Sequence, residues 1–192
     1  AFWTGVGTAG LGQMVDSFLT SPEGVGTGFT TMAAYQAALN RAPTFAEFSA
    51  AVASVRAGAA TVASLLASLN PGLTKAQVYQ NLLGRAPVGA EGVVGPAAAF
   101  STILASAEFQ NTGGFRTAAD HSNALYVRML YYLILGRAPD TSGFAFWLGV
   151  ANGGGSGICF NGAATAAVRL QILGPGTAGQ GFVGSPEFQS HF

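Results

Sequence analysis

Two histidines, His121 and His191, and one thiol, Cys159, are the side chains here best suited to metal binding or nucleophilic catalysis. The histidines stand far apart, and neither belongs to an H-E-x-x-H or C-x-x-C spacing, so no metal site is expected. His191 reads as a solvated side chain, and His121, beside Asp120 in ADHSN, as part of a helix start. Cys159 lies between Ile158 and Phe160 and reads as a small buried hydrophobe; a lone cysteine allows no internal disulfide. G-x-S-x-G occurs once, as GGGSG at 153–157, but a nucleophile elbow needs a strand before its serine, and this one sits in a glycine tract. GVGTAG and GTGFTT lack the G-K-[ST] of a phosphate cradle. The expectation is therefore no catalytic residue, no cofactor, no metal and no enzyme.

The charged residues carry a different signal, because they recur. Arg41, Arg85 and Arg137 occupy one place in three copies of a phrase: YQAALNRAP at 35–43, YQNLLGRAP at 79–87 and YYLILGRAP at 131–139. Glu23, Glu108 and Glu187 occupy one place in a second phrase: FLTSPEG at 18–24, ILASAEFQ at 103–110 and FVGSPEFQ at 182–189, with a degraded LLASLNP at 65–71. Repetition across modules indicates a structural duty. Each arginine is expected to pair with the closing glutamate or with helix-end carbonyls.

Both phrases mark helix boundaries. Gly84 and Gly136 can take the left-handed conformation that ends a helix, Asn40 is the next best residue for it, and the proline that follows cannot extend the helix. Thr44 and Asp140 then suit N-caps, Thr44 with Glu47 and Thr74 with Gln77 fit capping boxes, and Ser-Pro-Glu at 21–23 and 185–187 places proline at a first helical position. Between boundaries the apolar residues follow helical spacing, as in Val62, Leu65, Leu66 and Leu69. An all-α protein of about ten short helices in degenerate repeat modules is expected. Glycine clusters at 24–28, 112–114, 152–157 and 174–181 are expected as loops, with 153–162 as an insertion in the last module. The modules are read as 1–24, 25–72, 73–112 and 113–192.

Composition narrows the partners. Charged residues make 8% of the chain, against about 25% in an average globular protein. Eight basic and eight acidic residues leave no net charge, and Lys75 is the one lysine. Nucleic acid needs a basic footprint, which is missing. A weakly charged surface is poorly defended against self-association. The longest apolar run, Leu125 to Leu135, is shorter than a membrane span and contains Arg128, so no span is expected.

The stretch from LYVRMLYYLILGRAPDTSGFAFWLGV to FVGSPEFQ, residues 125–189, resembles a bacterial family of helical repeats, domain of unknown function 4214. The residues that carry the resemblance are Arg137, Pro139, Asp140, Gly143, Trp147, Ser185, Glu187 and Phe188. Ala51 and Gly95 stand where the tryptophan would fall in the two earlier modules. More remotely the chain resembles the helical linker domains of cyanobacterial light-harvesting assemblies. The first resemblance implies a secreted or cell-surface setting, and neither implies catalysis; the calcium-binding nonapeptide tracts often found beside such repeats are absent.

AFWTGVGTAG at 1–10 echoes AFWLGVANGG at 145–154, so residues 1–24 read as the second half of a module. A half-module presents an apolar face, and covering each large side chain is worth about 1.5–3 kcal/mol. The expected assembly interface comprises Phe2, Trp3, Leu11, Met14, Phe18 and Leu19 at one end and Phe182, Phe188 and Phe192 at the other. Packing on the helix near Thr30 is the internal alternative. The functional expectation is a self-assembling structural subunit of an extracellular filament, sheath or surface layer, joined head to tail to itself. The alternative is a secreted adhesion module that binds a surface glycan through Trp3 and Trp147.

Overall fold

In the computed structural model, residues 10–109, 119–153, 163–174 and 180–190 are described. Among them the chain is all-α, without a strand: α1 Leu11–Leu19, α2 Thr30–Leu39, α3 Phe45–Arg56, α4 Val62–Leu69, α5 Lys75–Leu83, α6 Pro96–Ala105, α7 Ala119–Ile134, α8 Thr141–Gly153, α9 Ala163–Leu173 and α10 Pro186–Gln189. A π-helical segment, Gly24–Phe29, runs directly into α2, and a 3-10 segment, Gly89–Val93, precedes α6. Both Trp3 and Phe2, with Cys159, His191, Phe192 and most of the 112–114 and 153–162 glycine tracts, lie outside the described residues.

The boundaries are where local chemistry requires them. Asn40 and Gly84 end α2 and α5 at φ 52° and 70°, and Gly136 follows α7 at φ 65°. Thr44 and Thr74 start α3 and α5 with full capping boxes, and Thr61 with Ser64 starts α4 with a third that pairs two hydroxyls. Asp140 Oδ1 accepts from the Gly143 amide at 2.8 Å ahead of α8.

The hub is α2. Thr31, Met32, Ala33, Ala34, Tyr35, Ala37 and Ala38 are all buried, and the helix packs on α3, α4, α5 and α7. Four alanines in ten residues let those helices approach closely. The last turn leaves carbonyls without helical donors, and side-chain amides fill them: Asn81 Nδ2 donates to the Ala37 carbonyl at 2.8 Å and Asn70 Nδ2 to that of Ala38 at 3.1 Å. The C-terminal helices join this body through Tyr132, whose hydroxyl donates to the Pro43 carbonyl at 2.8 Å while its ring packs on Phe45 and Phe48.

One expected loop is helix. Residues 24–28 form most of the π segment, with Thr27, Gly28 and Phe29 buried. A β-carbon on Gly24 would fall 2.3 Å from the Phe18 carbonyl oxygen, and one on Gly28 3.2 Å from Met129 Sδ and Leu133 Cδ1. These glycines make room for α1 and α7 rather than for a turn. The tryptophan position also diverges: Ala51 lies buried within α3, but Gly95 caps the start of α6 because the 3-10 segment replaces the first part of that helix.

Candidate functional site

The three recurrent arginines form one clasp with three sets of partners. In each, Nη1 donates to the carbonyl of the following alanine, Ala42, Ala86 or Ala138, at 2.9 to 3.0 Å. Each guanidinium also lies over the tyrosine six residues earlier, at 5.9 Å for Arg41 on Tyr35, 5.4 Å for Arg85 on Tyr79 and 5.1 Å for Arg137 on Tyr131. Helix spacing and the left-handed turn fold the arginine back onto its own helix.

Carboxylates complete the clasp. Arg85 holds two: Glu108 of the closing phrase, at 2.7 Å to Nε and 2.6 Å to Nη2, and Glu91 at 2.9 and 3.0 Å. Arg137 holds Glu187 through Nε and Nη2, with Asp140 at 3.6 Å. Arg41 departs from the expected pairing. Its partner is Glu47, at 2.7 and 2.8 Å, because its own closing phrase carries Asn70 where glutamate would stand. Glu23 instead meets Arg56 at 3.3 Å, with 70% of its side chain exposed.

The electrostatics follow the geometry. Glu47 is held down to about 2 by the Arg41 guanidinium and then by the Thr44 amide. Glu91 is held at about 2 by Arg85 and then by the Val88 amide. Arg85 is raised by Glu108 first and Glu91 second, and Arg137 by Glu187. Asp140 is lowered chiefly by the Gly143 amide. Such permanently ionised pairs hold position and transfer no proton near neutral pH.

The closing phrase is as regular. Ser106 and Ser185 each donate Oγ to the carbonyl three residues back at 2.7 Å and accept the amide three residues on at 3.1 Å. Ser21 does the same, to Phe18 at 2.7 Å and from Gly24 at 3.0 Å. In the degraded copy Ser68 keeps its bond to the Leu65 carbonyl at 2.8 Å.

The expected assembly residues fall into two groups. Leu19, Phe182 and Phe188 are buried in the chain's own core. Phe182 lies edge-on beneath Tyr131 at 4.9 Å and touches Trp147 at 5.2 Å. Leu11, Met14 and Phe18 line an open groove of about 900 Å³, together with Val15, Leu133, Ile134 and an edge of Phe188, with Glu23 and Arg56 on its rim. Helices α1, α7 and α10 thus converge on one apolar groove. Helix α1 packs on α9 and on the π segment that runs into α2. Sequence reading missed what fastens it: Arg169 and Asp16, 5% and 13% exposed, pair at 2.7 Å. Nothing in the spacing of these residues signals a contact across the whole chain.

Trp147 is partly buried between Phe182 and the exposed Phe146. Among the described residues no group of histidine, cysteine and acidic side chains could hold a metal ion, and no helix is long and apolar enough to cross a membrane.

With the clasp of Arg137, Asp140 and Glu187 in place, comparison with known families is decisive for one segment. Residues 100–157 match the family model of domain of unknown function DUF4214. The DUF4214 stretch contains Arg137, Pro139, Asp140, Gly143 and Trp147, begins within α6 and ends before the Ser185 to Phe188 phrase. It thus starts earlier and stops sooner than the resemblance read from the sequence. No curated protein and no solved structure matches the chain.

Proposed function

We propose that the protein is a non-enzymatic structural subunit that assembles with copies of itself at a cell surface or outside the cell. The observation that carries this reading is the apolar groove between α1, α7 and α10, open to solvent on a chain with few charges. Leu11, Met14 and Phe18 on its wall belong to the surface that the sequence assigned to subunit contact. Further apolar side chains stand in solvent elsewhere: Phe146 is 63% exposed and Val88 62%. With no net charge, copies meet without electrostatic repulsion. A contact between unlike surfaces would propagate as a filament or close as a ring. Glu47, Glu91, Glu108, Asp140 and Glu187 are engaged in clasps and caps, as a structural role asks of them.

Sedimentation velocity over a concentration series, followed by negative-stain electron microscopy, tests the proposal. Ordered polymers are expected, and Met14→Glu should dissolve them while leaving the helical circular dichroism intact. A protein that stays monomeric at the highest soluble concentration refutes it.

A further inference from the structure

We infer that Arg128, on α7, anchors a site for a carboxylate carried directly on a ring, the chemistry of a uronic acid unit. In each of the three clasps a guanidinium lying over an aromatic ring also holds a carboxylate. Arg128 has the first part of that arrangement: its guanidinium lies over the Phe144 ring of α8 at 4.4 Å, closer than in any of the three. The ion pairs among the described residues fall on Arg41, Arg56, Arg85, Arg137 and Arg169, and Arg128 takes part in none of them. It is half-buried, and among the described residues its N–H groups donate to no side chain or carbonyl. A ring contact engages the charge and leaves the planar fork of donors, which matches the two oxygens of a carboxylate.

The surroundings favour a ring on that carboxylate. One turn along α7 from Arg128 lies Tyr132, whose ring packs edge-on against Phe45, a side chain 36% exposed at the start of α3. Burial pushes the Tyr132 hydroxyl up, and Arg128 and Glu47 act on it in opposite senses. Glu47 is held at both oxygens by Arg41, so it leaves the charge of Arg128 to an incoming group. In a hexuronate the carboxylate is bonded to a ring carbon, so pairing it with Arg128 brings the C–H face of the sugar towards the exposed aromatic surface. A glutamate side chain carries its carboxylate on a flexible arm and brings no such face. Arg128 does not line the groove, and the site does not depend on assembly.

Saturation-transfer NMR on the full chain tests the site, with sodium glucuronate as the probe and glucose and N-acetylglutamate as controls. Saturable transfer to the glucuronate ring protons is expected, with none to glucose and weaker transfer to the flexible acid. Arg128→Gln should abolish it, and Arg128→Lys, which keeps the charge but loses the fork, should weaken binding about tenfold. Unchanged circular dichroism confirms that the variants fold, and the comparison of the three probes on the parent chain stands without them. Polygalacturonate on a biosensor surface separates the sources of the acid. Binding per unit tighter than that of the monosaccharide assigns the site to a polysaccharide, and equal binding assigns it to the free sugar acid. No transfer at any soluble glucuronate concentration, equal transfer to glucose or to N-acetylglutamate, or binding indifferent to residue 128 overturns the inference. None of these outcomes bears on whether the chain polymerises, so the assembly reading stands or falls by its own test.

Discussion

Removing one partner of the Asp16 and Arg169 pair should detach α1. The guanidinium donates through Nε at 2.7 Å and through Nη2 at 3.2 Å to the two carboxylate oxygens, and the two side chains are 5% and 13% exposed. Asp16→Ala leaves a buried cation without this counter-charge, which costs roughly 3–5 kcal/mol. The charge's removal together with its partner, as in Asp16→Leu with Arg169→Met, should cost far less, because no charge is then left buried without its partner. Helix α1 packs chiefly on α9 and the π segment, so the loss is expected first as local undocking. At about 1.4 kcal/mol per factor of ten, amide exchange in α1 should accelerate by roughly 10² to 10³, with α2 and α5 amides unchanged. Hydrogen exchange read by mass spectrometry separates these regions. Exchange in α1 that Asp16→Ala leaves within a fewfold of the parent would refute the reasoning, as would a double variant as damaged as the single one.

Gly12→Ala should produce the same undocking by steric means, since its β-carbon would fall 1.9 Å from the Gly174 carbonyl oxygen; accelerated α1 exchange checks it. Gly84→Ala and Gly136→Ala, at φ 70° and 65° with open space around the β-carbon, should each cost about 1 kcal/mol from the left-handed backbone alone, measured by urea denaturation. Glu47 and Glu91, lowered to about 2 when folded, contribute stability that is complete above the ordinary carboxylate range. It should fall as pH drops from about 4.5 towards 2; carboxyl NMR titrations with midpoints near 4 would contradict it. Thr44→Ala should cost about 1 kcal/mol through loss of the side-chain cap, and the Glu47 titration should move upward because the Thr44 hydroxyl, which the substitution removes, helps hold that carboxylate ionised.

The boundaries of α2, α3, α5 and α10 were legible because each depends on a few adjacent residues with one physical duty: a left-handed Asn40 or Gly84, a Thr44 or Ser185 cap, a proline. Glu108 and Glu187 were legible as arginine partners because recurrence links residues far apart in the chain. Arg41 escaped that logic, since its helix-start glutamate takes over where the closing phrase has Asn70. The π segment escaped it too: GVGTGF has the composition of a loop, and only the close approach of Phe18 and Leu19 to Gly24 and of Met129 and Leu133 to Gly28 shows why these two glycines are small for packing rather than for turning. The groove was half legible. Leu11, Met14 and Phe18 were read as one apolar face, but the burial of Leu19 and Phe188 depends on how α1, α7 and α10 converge, which local pattern does not encode.

The variation among the clasps separates a fixed part of the motif from a variable one. The arginine has a fixed task, to tie the end of its helix to the carbonyl just beyond the turn, and a variable one, to satisfy its charge. Glu47 alone suffices for Arg41, Glu187 with a distant Asp140 for Arg137, and two glutamates share Arg85. A clasp with one carboxylate therefore holds, and the second is free to drift, as Asn70 shows. Glu23 meets Arg56, a residue outside the repeated arginine position, at 3.3 Å. The closing phrase around it nevertheless keeps its serine bonds, its proline and its aromatic wall.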